Sequence, residues 1–207
     1  MAQKRTGGAA PQRGRPRAYD PELALQQATD SFWRAGYSGT SLEDLAAATG
    51  MNKPSLYAAF GDKRALYRAA LQQYWQKAFA SMREALSAHK ALDEALMQVY
   101  EGALSIYFSG DGAPRGCFVI GTAVTEAAED REIRSSLLAG LLTFDRDFEA
   151  RFQAARAQGQ LKASADPSAL AVVATATLHT IAIRARAGVP RARLRELARK
   201  AVSVLCG

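Results

Sequence analysis

Residues 40–60 read TSLEDLAAATGMNKPSLYAAF. The stretch is two short helices around a break. Thr40 or Ser41 caps the first, with Glu43 or Asp44 three residues on to close a capping box. Leu42, Leu45, Ala46 and Thr49 form its inward face. Gly50 ends it, Asn52 is placed to cap the second helix, and Pro54 suits that helix's first turn. The second helix turns Leu56 and Phe60 inward and leaves Asn52, Lys53, Ser55 and Tyr57 as a polar tip. Two short helices across a tight glycine-containing turn make a helix-turn-helix.

Outward from this motif nearly everything reads as helix. Asp20-Pro21-Glu22 is a helix start, with a cap, a first-turn proline and an acid at the positive end of the dipole. Leu25, Ala28 and Phe32 follow at helical spacing, and Gly36 stops the run. Further helices are expected over 63–88, 92–108, 115–128, 132–158, 167–187 and 191–205. The breaks are SGDGAPRG, AQGQLKASADP and AGVP. Alternating strand patterns and internal repeats are absent, so the fold class is all-α. Three regions are expected: a disordered basic arm over 1–17, a helix-turn-helix unit over 18–64 and a larger helical domain over 65–207.

The 207 residues carry a net charge of +7, a balance that favours polyanionic partners. Lys4, Arg5, Arg13, Arg15 and Arg17 stand in the first 17 residues without one acid. A short arginine-rich arm beside a folded domain suits the DNA minor groove, which makes Arg15 and Arg17 candidate contacts. The two cysteines, Cys117 and Cys206, form no CxxC pair and no disulfide framework, and the N-terminus has no apolar leader. A cytoplasmic protein is the natural expectation. Residues 169–183 form the most apolar run. They are shorter than the roughly 20 residues a span requires, and they read as a buried helix with no membrane role.

In a helix-turn-helix the second helix enters the major groove and its leading residues meet base edges. Asn52, Lys53 and Ser55 have the hydrogen-bonding groups for this, and Pro54 offers an apolar edge to a thymine methyl. Tyr57 brings a hydroxyl toward a phosphate. Thr40 and Ser41, at the start of the first motif helix, offer hydroxyls and free amides to another.

The segment GTSLEDLAAATGMNKPSLYAAFGDKRALYRAAL, residues 39–71, resembles the DNA-binding domain of the TetR/AcrR family of bacterial transcriptional regulators. The shared features are Gly39-Thr40, Leu45-Ala46, Thr49-Gly50, the run Leu56-Tyr57-Ala58-Ala59-Phe60, Lys63 with Leu66, and Ala35-Gly36-Tyr37. The likeness is specific over about residues 18–71. Many relatives have Gly-Thr or Gly-Ser where this chain has Pro54-Ser55, and proline lacks a backbone donor. An operator sequence is therefore not transferable. The resemblance implies phosphate contacts at Thr40, Ser41, Tyr57 and Lys63, and base-facing roles for Asn52, Lys53, Pro54 and Ser55.

The same resemblance implies a C-terminal domain that binds an effector and dimerises. The expected partners are a double-stranded, palindromic operator, an apolar or aromatic small molecule, and a second copy of the chain. Helices 132–158 and 167–187, the latter rich in small residues, would pair with their copies as a four-helix bundle. Tyr100, Tyr107, Phe108, Phe118, Phe144 and Phe148 are candidate cavity walls, with Thr122, Thr125, Thr177 and His179 as polar contacts. Cys117 is a further candidate, because Arg115 nearby would favour a thiolate able to sense oxidants or electrophiles. A ligand-released repressor is the leading reading, with activation open. Charge-driven non-specific binding to DNA or a membrane surface is the alternative. An enzyme has little to work with: the histidines are His89 and His179 alone, and no metal-ligand spacing or cofactor fingerprint occurs.

Overall fold

The computed structural model describes residues 19–87, 90–110 and 112–207. Those residues form nine α-helices and one π-helical turn, without a strand. The expected arm, including Arg15 and Arg17, lies outside the described residues.

Helices α1 (Pro21–Ala35), α2 (Leu42–Thr49) and α3 (Lys53–Phe60) make the N-terminal unit. Each begins where its cap predicts. Asp20 accepts the amides of Glu22 and Leu23, Ser41 and Asp44 form a reciprocal capping box, and Asn52 accepts from Ser55. Gly50 ends α2 in the left-handed region at φ 64°, where a side chain would be strained. Ala28, Phe32, Leu45 and Leu56 are buried together beneath the three helices.

Helix α4 (Lys63–Ala85) belongs to two cores. Leu66, Tyr67, Ala70, Leu71 and Trp75 pack with α1–α3, whereas Met82 and Ala85 pack in the C-terminal core. The domain boundary expected at 64/65 therefore falls inside a continuous helix. Helices α5 (Leu92–Tyr107), α7 (Arg131–Ala157), α8 (Pro167–Arg186) and α9 (Arg191–Cys206) complete the larger core.

The segment expected as one helix over 115–128 is different. Residues 114–117 have no regular structure; a π-helical turn, Val119–Ala123, then runs into the short α6, Val124–Glu126. Phe118, Val119, Ala123 and Ala127 of this stretch are buried in the N-terminal core, so the two parts of the chain share one apolar seam. Ion pairs fasten its edge. Arg64 makes a bidentate contact to Asp130 at 2.5 and 2.9 Å, and Arg68 meets Glu132 at 2.5 Å. The Arg64 guanidinium is the main reason the Asp130 carboxyl is held down to about 2.

Helix α8 is not the buried helix that its composition suggested. It is long and apolar enough to cross a membrane by length and composition alone. It packs against α7 and α9 through Ala171, Ala174, Leu178, Ile181 and Ala185, yet Val172, Val173 and Ile183 face outward. Leu138 and Leu142 of α7 are likewise exposed. The α7–α8 hairpin thus shows a row of large apolar side chains on its outer face, the kind of patch that marks an association surface.

Candidate nucleic-acid interface and cavity

The tip of α3 is built as the local sequence demands. Asn52 Oδ1 accepts the Ser55 amide at 2.9 Å, which commits its oxygen to the cap and leaves its amide nitrogen free to donate. Lys53 and Pro54 occupy the first turn and are exposed, while Ser55 is half-buried. Leu56 is buried and anchors the helix from behind. Tyr57, one turn on from Lys53, keeps 47% of its surface exposed. These side chains share one outward end.

One expected phosphate contact, Thr40, is corrected, and a second, Ser41, is engaged within its own helix cap. Thr40 is buried, and its hydroxyl donates inward to the Gly36 carbonyl at 2.7 Å, tying α1 to the start of α2. Its hydroxyl is not presented to solvent. Ser41 is exposed, but Asp44 already accepts its hydroxyl at 2.7 Å and its amide at 2.8 Å. A carboxylate thus occupies the place at the α2 N-terminus that the sequence reading gave to a phosphate. Lys63 is half-buried, its ammonium 4.4 Å from the centre of the Tyr37 ring.

The folded reader is not basic. Residues 19–71 contain Asp20, Glu22, Asp30, Glu43, Asp44 and Asp62 against Arg34, Lys53, Lys63, Arg64 and Arg68. Arg64 and Arg68 are, moreover, paired with Asp130 and Glu132. The positive charge that suggested a polyanion partner therefore sits mainly elsewhere, five cations of it in residues 1–17.

A cavity of about 50 Å³ lies between α4, α5, the π-helical turn, α7 and α8. That is room for a few waters, well below the several hundred Å³ of a typical ligand site. Four of the expected wall residues line it: Tyr107, Cys117, Phe144 and His179. The sequence expectation placed Tyr100 and Tyr107 of α5 among the walls but missed Tyr74, Trp75, Met82, Val99 and Ile106, which line the cavity from α4 and α5. The cluster Tyr74, Trp75 and Phe79 was the available signal. Trp75 crosses α7 at Gly140, where a Cβ would stand 2.2 Å from the indole, so only glycine admits this wall.

The other seven candidates serve elsewhere. Tyr100 is buried with its hydroxyl donating to the Ala174 carbonyl at 3.2 Å. Phe148 stacks on Phe152 within the core, and Phe108 ends α5 against that core. Thr177 bonds back to the Val173 carbonyl, and Thr125 faces solvent. Thr122 and Tyr67 share a hydrogen bond of 2.7 Å. Phe118 lies at the centre of an aromatic cluster, 5.6 Å from Trp33, 5.9 Å from Tyr67 and 5.6 Å from Tyr74 between ring centres.

The electrostatics inside the cavity favour neutral groups. Burial lowers the pKa of His179 and so keeps its ring uncharged. Burial pushes the Cys117 thiol up, with the Tyr74 hydroxyl donating to its sulfur at 3.3 Å. The Arg115 charge expected to favour a thiolate is engaged elsewhere. That guanidinium is held by Asp30 at 2.5 Å, by Ser109 at 2.9 Å and over the Trp33 ring at 4.3 Å. Among the described residues no group of histidine, cysteine and acids is arranged to hold a metal.

A two-helix reader on a helical body that carries a small apolar cavity defines a class of regulator, and the comparisons name it. Residues 24–70 match the model for bacterial regulatory proteins of the tetR family, and residues 94–202 match the tetracyclin repressor-like C-terminal domain. The chain is 32% identical over 188 residues to the HTH-type transcriptional repressor ComR of Escherichia coli, covering 90% of this chain and 89% of that one. It is 31% identical over 145 residues to the repressor BdcR of the same organism, covering 70% and 73%. Among solved structures it is similar to a cysteine-substituted form of the TetR family regulator CifR in complex with 26-base-pair operator DNA. That likeness has 35% identity and a TM-score of 0.82 over 92% of this chain and 98% of that one. The chain belongs to the TetR family. It is a DNA-binding transcriptional regulator, and the family is one of regulators rather than enzymes.

Proposed function

We propose that the protein is a repressor that binds a near-palindromic operator as a homodimer and is released by a small apolar or aromatic effector. Asn52, Lys53, Pro54 and Ser55 face the bases, and Tyr57 and Lys63 approach the backbone. The α7–α8 faces of two copies join around a twofold axis. Arg15 and Arg17 supply phosphate or minor-groove contacts that the acidic folded reader lacks. The sign of regulation in the cell is set by where the operator lies.

One observation carries the effector reading: the cavity and the reader share a wall. Tyr74 lines the cavity and packs edge-on against Trp33 of α1 at 5.3 Å. Cys117 and Val119 line it too, and their neighbour Phe118 touches both Trp33 and Tyr67. An effector too large for this space presses on its walls, and pressure on these side chains bears on α1 and α4. It then favours the conformation whose reader helices no longer match the groove, and only that differential affinity shifts DNA binding. Charge alone does not account for the protein, since the folded reader carries more acids than bases.

One salt titration of operator binding reads both backbone assignments. Tyr57→Phe removes one hydroxyl and should weaken operator binding about three- to tenfold. Deleting residues 1–17 should make the slope of log K against log salt about two units shallower if Arg15 and Arg17 each neutralise a phosphate. Unchanged affinity in the first, or an unchanged slope in the second, contradicts that assignment.

A further inference from the structure

Lys53 is the one cation in residues 42–60, and it is not free. Its ammonium meets the Glu43 carboxylate across the turn between α2 and α3. Both side chains stand in water, 46% and 67% exposed, so the pair adds little to stability and opens readily. Glu43 is not required for the cap of α2, because Asp44 and Ser41 close that box between themselves. The Lys53 ammonium is the main reason the Glu43 carboxyl lies below its usual range. An acid is thus placed directly beside the first residue of the reading helix, in a reader that is already short of positive charge.

We propose that Glu43 is a specificity-determining residue that holds Lys53 neutralised beside the tip of α3, so that Lys53 is released only to a base edge with paired acceptors. The inference rests on α3 being the DNA-reading helix. The physics is a competition. A phosphate is worth more to Lys53 than this weak exposed pair, but bringing a phosphate close also sets it against the Glu43 carboxylate, and that repulsion keeps Lys53 paired on arbitrary DNA. Guanine presents O6 and N7 together in the major groove, a two-acceptor site that Lys53 meets once α3 is seated. Seating brings the other contacts of the helix with it, and these compensate for the opened pair. Glu43 therefore weakens binding to arbitrary DNA more than binding to the operator. Discrimination of this kind comes from a repulsive element as well as from attractive ones.

The test uses the full chain, the duplex enriched by selection from random DNA, and a scrambled duplex of equal length and composition. Affinities are measured by fluorescence anisotropy from 50 to 300 mM salt for wild type, Glu43→Gln, Lys53→Gln and the double variant. Glu43→Gln frees one cation for phosphate. It should raise affinity for the scrambled duplex roughly eightfold at 0.1 M salt and steepen its salt slope by about 0.9. Operator affinity should change less than about twofold, so discrimination falls several-fold. In the Lys53→Gln background the same substitution should no longer change discrimination. An unchanged ratio of operator to scrambled affinity in Glu43→Gln overturns the inference, as does an equal effect of Glu43→Gln with and without Lys53. A wild-type protein that does not prefer the operator at all overturns the reading of α3 itself, which is a separate outcome. Both residues are exposed, so unchanged thermal melts are expected and serve as the folding control.

Discussion

Leu142→Arg combined with Val173→Arg is expected to turn the protein into a monomer and to lower operator affinity on the order of a hundredfold or more. Leu142 and Val173 are each 50% exposed on the outer face of the α7–α8 hairpin, beside Leu138, Val172 and Ile183. Large apolar groups in such a row are stabilised by removal from water, at about 25 cal/mol for each Å² covered. A guanidinium in the middle of that face cannot be buried against its own symmetry copy without a partner. Linking two readers makes the second contact intramolecular and raises affinity by 10² to 10⁴, and dissociation of the dimer forfeits this. Light scattering should give twice the 22.2 kDa chain mass for wild type and the single chain mass for the variant. Val204→Arg, on α9 at the most exposed of the large apolar positions, should remain dimeric. A double variant that is still a dimer would place the interface elsewhere.

Phe118→Ala should cost about 3–5 kcal/mol of folding stability, the usual range for deleting a fully buried ring. The Phe118 side chain has no exposed surface, and it sits where Trp33 of α1, Tyr67 and Tyr74 of α4 and the π-helical turn converge. Its removal opens a hole in the seam joining reader to body, and the three surrounding rings cannot close it without leaving their other contacts. For a chain of this size the melting temperature should fall by about 10 °C. Phe108→Ala, at a half-buried ring, should cost markedly less. Thermal and denaturant unfolding measure both. A loss below about 1 kcal/mol for Phe118→Ala would show that the seam is not the tight joint described above.

The reader was legible because its signals are local. Ser41 with Asp44, Gly50, Asn52 and Pro54 fix two helices and the turn between them within about 15 residues. The errors there came from neighbouring residues of one chemistry. Thr40 and Ser41 both carry a hydroxyl, and only the packing of α2 on α1 turns Thr40 inward to the Gly36 carbonyl. The cavity was only partly legible, because its walls come from five elements far apart in the chain. Tyr100, Phe118 and Phe148 are as aromatic as Tyr107 and Phe144, and no sequence spacing distinguishes a ring in a solid core from one beside a void. The surroundings of Cys117 were illegible for the same reason. Arg115 is two residues away in sequence, but its charge is spent on Asp30 and Trp33. Helix α8 was read as buried on composition, which reports apolarity and not which half of a helix meets its own chain. Net charge misled in a subtler way: the total of +7 is correct, but it describes the arm and body rather than the folded reader.

Selection of bound duplexes from a random DNA pool with the purified full chain tests the central claim most directly. A twofold dimer with α3 in successive major grooves predicts enrichment of one inverted repeat, its half-sites centred about 10–10.5 base pairs apart or a multiple of that. A pool that emerges without an enriched sequence, bound with an affinity set by salt alone, would contradict a sequence-reading dimer.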